Sequence, residues 1–144
     1  MPSGIQTFTG SCHCEALGFV YQTALPAEGW SVRACQCHFC REHGALSTSD
    51  PNGQLEFCAR SAQPLQRYRF ALRTADFLLC SQCGVYVGAQ IETARGAFGI
   101  VNTRALQPPP AGLAEPVPAH YDTENTEERV ERREQRWTPL KKLV

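Results

Sequence analysis

Three cysteines within six residues are the part of this sequence whose spacing most restricts its chemistry. They are Cys35, Cys37 and Cys40, in the pattern Cys-x-Cys-x-x-Cys. A disulfide needs separated Cα atoms and a favourable S–S torsion, which cysteines this close in the chain satisfy poorly. Thiolates around a zinc ion instead converge on one point about 2.3 Å away. The spacing therefore favours a metal site.

Two further cysteine pairs provide four more ligands. They are Cys12 and Cys14, spaced Cys-x-Cys, and Cys80 and Cys83, spaced Cys-x-x-Cys. A zinc ion with four cysteine ligands is closed and structural, whereas one with three protein ligands keeps a position for water or substrate. We therefore expect two zinc ions per chain, a structural one on these four cysteines and a catalytic one on the central three. Another grouping stays open, for example Cys12 and Cys14 with Cys35 and Cys40.

Three other side chains bear on whether the central site is open. His38, His43 or Cys58 can supply a fourth ligand, which would close the site. The two histidines can also carry protons, because imidazole titrates near neutral pH. Cys58 stands between apolar neighbours, which is typical of a small buried core side chain. The sequence leaves the roles of these three residues open.

Composition and charge restrict the possible partners. The chain has 144 residues, a common size for one domain, and its 14 basic and 14 acidic side chains cancel. The broad positive field that attracts nucleic acid is therefore missing. The start of the chain lacks a secretory signal, and no run approaches the ~20 apolar residues of a membrane-spanning helix. We predict a cytoplasmic protein without nucleic-acid or membrane partners, whose eight cysteines bind metal in a reducing compartment.

Short strands must position these cysteines. Alternating β-prone residues at 17–21 predict a strand that leaves the first pair. Apolar residues at 77–79 and 85–87 flank Cys80, Cys83 and Gly84, the arrangement of a zinc-knuckle hairpin. Further short strands are predicted at 30–34, 45–48, 55–58, 65–70 and 98–101.

The sequence changes character beyond residue 106. Prolines at 107–118 predict an extended polyproline connector that takes no part in a sheet. Residues 124–136 combine early acids with later arginines, which predicts a short solvated helix with Thr123 or Thr126 as its N-cap. We therefore divide the chain into a zinc-binding β domain, 1–106, and a Pro-rich connector with a helical tail, 107–144, packed on the same domain.

The cysteine motifs, in this order, resemble those of the glutathione-dependent formaldehyde-activating family, which includes centromere protein V. The segments that carry the resemblance are 10–14, 35–41 with Gly44, 80–84, 101–106, Arg132 with Arg133, and 137–139. The resemblance implies an all-β fold of twisted antiparallel sheets, similar to methionine sulfoxide reductase B and to zinc-binding exchange-factor chaperones. Together with the short C-terminal helix predicted from residues 124–136, the expected fold class is mainly β.

The resemblance also implies an activity. A structural zinc would fall on the four outer cysteines and an active-site zinc on Cys35, Cys37 and Cys40. The enzyme would be a carbon–sulfur lyase for formaldehyde detoxification, with glutathione as co-substrate and a small aldehyde as its other partner. The thiolate would attack the aldehyde carbon, and His38, His43 or water would protonate the resulting oxygen.

Two other function classes compete with this one. A non-catalytic zinc-stabilised binding module would use the same fold, because fold does not fix function. A thiol redox role for Cys80 and Cys83 lacks the helix that usually lowers the pKa of such a thiol. Chelation of the second zinc would separate the first two classes, since an open site releases its metal more readily.

Overall fold

Short strands are the main secondary structure in the computed structural model, which describes residues 4–61 and 63–144. The strands are β1 (Gln6–Ser11), β2 (Leu17–Thr23), β3 (Arg33–Cys35), β4 (Ser47–Thr48), β5 (Gln54–Ala59), β6 (Leu65–Tyr68), β7 (Asp76–Cys80), β8 (Tyr86–Thr93), β9 (Gly96–Asn102), β10 (Val117–Ala119) and β11 (Thr138–Pro139). The helices are α1 (His38–His43), α2 (Thr126–Arg136) and the 3-10 turns Ala27–Gly29 and Thr103–Ala105. The predicted mainly β fold with a short C-terminal helix is confirmed.

The strands form two sheets. β1, β2 and β5 make a three-stranded antiparallel sheet in that order. The larger sheet runs β10-β3-β4-β9-β8-β7-β6, with β11 paired to β9. Its neighbours are antiparallel except β10, which lies parallel to β3.

The core lies where the two sheets face each other. Leu17, Phe19 and Tyr21 on β2 point inward and are buried, because side chains of a strand alternate between its faces. Phe19 meets Phe57 of β5 edge to face, with ring centroids 6.2 Å apart. Gly88 lets the sheets approach, since a side chain there would collide with the Phe57 ring. The alternation predicted at 17–21 is therefore confirmed.

Several boundaries differ from the sequence predictions. The strand predicted at 30–34 is Arg33–Cys35, and the strand predicted at 45–48 is only Ser47–Thr48. Cys58 is exposed and not part of the core, because Leu55 and Phe57 occupy the inward positions of β5. The prediction of a buried Cys58 is therefore wrong.

The prediction that the Pro-rich connector forms no sheet strand is also wrong. Val117–Ala119 is the edge strand β10, and Pro118 lies opposite Ala34. Pro118 has no N–H, so the parallel pairing uses its neighbours: the Val117 amide donates to Val32 (2.9 Å). An edge strand tolerates proline, since one of its sides needs no hydrogen bonds.

The C-terminal helix begins differently from the prediction. Asn125, and neither Thr123 nor Thr126, is its N-cap. The Glu128 amide donates to Asn125 Oδ1 (2.8 Å), and the Asn125 amide donates to Glu128 Oε1 (2.9 Å), which completes a capping box. The helix is not solvated on all sides, because Arg133 is buried.

The segment after residue 106 belongs to the same core. Trp137 is buried in an apolar cluster with Cys40, Phe77 and Ile100. Leu140 packs on the main apolar cluster, which contains Phe19 and Phe57. The division of the chain at residue 106 stays a prediction. Among the described residues, no helix is long and apolar enough to cross a membrane.

Candidate active site

Four cysteines meet where the two sheets come together. Cys12 follows β1 of the small sheet, and Cys80 ends β7 of the large one. The Sγ atoms of these two and of Cys14 and Cys83 all lie within 4.8 Å of one another. Gly84, with φ of 81°, turns the chain between β7 and β8 so that the hairpin presents both of its sulfurs. All eight cysteines are free thiols, so no disulfide competes with this arrangement.

Backbone N–H groups point at the sulfurs of this four-cysteine group. The Leu17 amide donates to Cys12 Sγ (3.3 Å), and the Cys83 amide donates to Cys80 Sγ (3.5 Å). Such hydrogen bonds favour a negative sulfur. Although slight burial raises it, backbone N–H groups help to lower the pKa of Cys83 to about 6. The group is thus suited to bind a cation.

The central motif folds into a strand end followed by a short helix. Cys35 ends β3, and Cys37 is the N-cap of α1, whose sulfur accepts from the Cys40 amide (3.4 Å). Gly44 ends the helix in the left-handed conformation, with φ of 59°. This tight path brings the three Sγ atoms within 4.8 Å of one another. The helix α1 was not predicted from the sequence.

Negative charge within this three-cysteine group falls first on Cys37. Hydrogen bonds from the thiols of Cys35 and Cys40 lower the pKa of Cys37, and the amides of the α1 turn add to the effect. The same interactions raise the pKa of Cys35 and of Cys40. Cys37 is therefore the thiol of this group that ionises most readily.

No fourth donor joins the three-cysteine group among the described residues. His38 turns outward and pairs with Glu42, at 2.9 Å between Nε2 and Oε1. His43 packs on the Phe39 ring, with centroids 4.5 Å apart, and Cys58 is exposed on β5. The other grouping left open by the sequence, Cys12 and Cys14 with the central motif, is not what the structure brings together.

A cavity of about 690 Å³ opens beside the three-cysteine group. Cys35, Cys37 and Cys40 all line it. Phe77 and Ile100, on β7 and β9, give it an apolar wall. Such walls exclude water and strengthen polar interactions made inside. A small organic molecule can therefore reach the sulfurs from this side.

Another wall of the cavity is basic. It contains Arg33 of β3 and Arg129, Arg132 and Arg133 of α2. Glu124 accepts from Arg129 (3.1 Å) and from Arg132 (2.6 Å). This wall was not predicted from the sequence, because the glutamates of the helix nearly cancel its arginines in net charge. The spacing of positions 129, 132 and 133 places them on one helix face, and this spacing is the sequence signal from which the basic wall could have been predicted.

Fold and site together define a two-sheet β protein with two cysteine groups suited to zinc, one of them open to a cavity. The chain belongs to the glutathione-dependent formaldehyde-activating enzyme family, whose model matches residues 7–121. This confirms the resemblance found in the sequence. Membership supports a glutathione-dependent role in activating formaldehyde.

The fold also resembles a solved structure. It is the crystal structure of a Rhodobacter sphaeroides protein from a structural genomics programme, 28% identical in sequence, with a TM-score of 0.58. The similarity covers 76% of this chain and 99% of that chain. No match was found among the curated proteins.

Proposed function

We propose that this protein is a zinc-dependent carbon–sulfur lyase that forms or cleaves the adduct of glutathione, or a similar thiol, with formaldehyde or another small aldehyde. The observation that carries the proposal is the three-cysteine group in the cavity wall, which no other donor among the described residues completes. Family membership supports the choice of thiol and aldehyde. We also propose a cytoplasmic location, because free thiol ligands need a reducing compartment.

The two cysteine groups suit two different zinc ions. Four convergent thiols make a closed site of structural type, held by Cys12, Cys14, Cys80 and Cys83. Three thiols leave a position free, and Cys35, Cys37 and Cys40 would hold the catalytic ion. When bound there, zinc lowers the pKa of a substrate thiol so that it reacts as a thiolate near neutral pH.

The residues of the cavity bring the two substrates together. Phe77 and Ile100 keep water from the reacting atoms while the sulfur of the thiol attacks the aldehyde carbon. A carbon–sulfur bond forms, and the electron pair of the carbonyl bond moves to oxygen, which takes up a proton. Neither His38 nor His43 lines this cavity, so His120, which does, or water is the donor in our proposal. Cleavage reverses each step.

Cobalt substitution tests the open position. With Co²⁺ in place of zinc, glutathione should intensify the sulfur-to-metal charge-transfer band, because a fourth sulfur joins the three-cysteine group. Formaldehyde added to the same sample should then consume free thiol. The four-cysteine group is the internal control, since its coordination is already complete.

An unchanged cobalt spectrum at millimolar glutathione, together with no loss of thiol, would contradict the proposal. Two metal ions that resist chelation equally would then identify a non-catalytic, zinc-stabilised binding module. A Cys37→Ser variant serves as the negative control, because it removes a ligand from the open site alone.

A further inference from the structure

Two arginines in the cavity wall have no acidic partner among the described residues. Arg133 is 7% exposed, and its Nε makes no hydrogen bond to any of them. Arg33 is half-buried and donates to the hydroxyls of Ser49 (2.9 Å) and Ser31 (3.3 Å). Neither guanidinium lies within 4.0 Å of a described carboxylate. Both face the cavity that the three cysteines line.

The acids of the cavity do not neutralise these two charges. Glu124 is bound by Arg129 and Arg132, and Asp122 is exposed and forms no ion pair with a described residue. A buried charge without a partner is unfavourable, because the group has lost its hydration without gaining a counter-charge. The cavity therefore carries positive charge that an anionic ligand would compensate.

Arg133 is also held in place. Its Nη1 donates to Thr74 Oγ1 (2.6 Å), and its Cζ lies 4.7 Å from the centre of the Trp137 ring. Burial lowers the pKa of Arg133 to about 10, so the group stays protonated at neutral pH. A fixed guanidinium recognises a carboxylate through two parallel hydrogen bonds with little further loss of entropy.

We propose that Arg133, together with Arg33, binds a carboxylate of the thiol substrate and makes the site selective for thiols that carry an acid group. The inference rests on the proposed function, because it assumes that the sulfur of the same molecule reaches the three cysteines. Arg33 lies two residues before Cys35 on β3, so one bound molecule can span both features. Glutathione, with two carboxylates, has the required chemistry.

Binding of S-methylglutathione tests the inference apart from catalysis. This thioether keeps both carboxylates but cannot offer a thiolate to the metal. We expect calorimetry on the zinc-loaded protein to show binding that Arg133→Gln weakens roughly 10- to 100-fold, the loss typical of a hydrogen-bonded charge. Arg133→Lys should recover part of the lost affinity, because lysine keeps the charge but not the planar guanidinium. Arg95→Gln, at an exposed arginine outside the cavity lining, is the matched control and should bind normally.

The diethyl ester of S-methylglutathione gives a second measurement that needs no variant. The native protein should bind this ester at least about tenfold more weakly than the free acid, and Arg133→Gln should remove the difference. This comparison keeps the test decisive if Arg133→Gln does not fold. Absence of turnover with glutathione and formaldehyde would overturn the proposed function alone. Equal binding of acid and ester by the native protein, or no binding of the acid, would overturn the inference alone.

Discussion

Cys37 has two roles in one loop. Its sulfur accepts a hydrogen bond from the Cys40 amide as the N-cap of α1, and it lies within 4.8 Å of the sulfurs of Cys35 and Cys40. Both roles use lone pairs of the same sulfur. The amides at a helix start favour a negative sulfur, which is also the form that binds a metal ion. The cap would thus favour the thiolate form of the proposed ligand before any metal arrives.

The substitution Cys37→Ser separates these roles. Serine is a good N-cap, so the free energy of unfolding should change by less than about 1 kcal/mol. An alcohol is a poor zinc ligand, so the second zinc should leave readily with a chelator and thiol-dependent turnover should disappear. Urea unfolding, chelator titration with zinc analysis, and an assay of thiol-dependent turnover measure these three quantities. Global unfolding of this variant would show that the central motif is structural.

The helix α2 is fixed to the molecule chiefly through its arginines. Glu124, just before the helix, accepts from Arg129 and Arg132, and Arg129 also donates to the Tyr121 carbonyl (2.7 Å). The Arg132 guanidinium lies 3.6 Å from the centre of the Tyr121 ring. These contacts tie the start of α2 to the chain that leaves β10.

Glu124→Gln should remove these ion pairs and lower the free energy of unfolding by an amount that depends on pH. Burial raises the pKa of Glu124, but hydrogen bonds from Arg132 and Arg129 outweigh it and lower the pKa below the ordinary value. A lowered pKa in the folded state stabilises the protein above the unfolded pKa, about 4.3, and this contribution disappears as the pH falls through the folded value. The variant should lose roughly 1–3 kcal/mol at pH 7.

Urea unfolding of native and variant protein at matched pH measures this difference. Loss of zinc in acid affects both proteins equally, so the difference between them isolates Glu124. The difference in the free energy of unfolding between the native protein and Glu124→Gln should shrink below about pH 4. Glu131→Gln, an exposed acid on the same helix, should cost little at any pH. A difference for Glu124→Gln that stayed constant from pH 7 to pH 3 would argue against the ion pair.

Elements were predictable from sequence where a single local pattern determined them. The alternation in β2 needed only its own residues, and the hairpin at Cys80 needed only the knuckle spacing and Gly84. The helix α1 was missed because six residues give no helical period, and its cap is a cysteine. The strand β10 was missed because proline argues against strands, and only the position at a sheet edge makes it acceptable.

Over the whole molecule, the four-cysteine group joins the two sheets. Cys12 and Cys14 follow a strand of the small sheet, and Cys80 and Cys83 belong to a hairpin of the large one. Cys12 and Cys80 are buried within the main apolar cluster. A metal at this position would therefore link the two halves of the core.

Cys80→Ser should accordingly damage the whole fold. Metal binding and folding are coupled at such sites, so we expect one zinc fewer per chain and a loss of several kcal/mol in the free energy of unfolding. Zinc analysis and urea unfolding provide the measurements. The exposed Cys58→Ser, outside both cysteine groups, is the matched control and should keep native values. Full zinc content and native stability in Cys80→Ser would contradict the proposal that the four-cysteine group is a structural zinc site.

The cavity could be predicted only in part from the sequence. Its cysteines come from one short motif, and their closeness followed from their spacing. Three arginines of its basic wall come from α2, far along the chain, which follows the strand β10 that pairs with β3. A single sequence contains no local signal for that pairing.

The pairing of β10 with β3 has a consequence for local stability. It involves three residues at a sheet edge, whereas the cysteine groups and the long strands are held by the core. Segments with few buried contacts open at lower free energy than the molecule as a whole. Only the β10–β3 pairing would be lost if this edge opened, because β10 has no partner among the described residues on its other side. We therefore expect β10 to open at a lower free energy than global unfolding, which amide hydrogen exchange would measure.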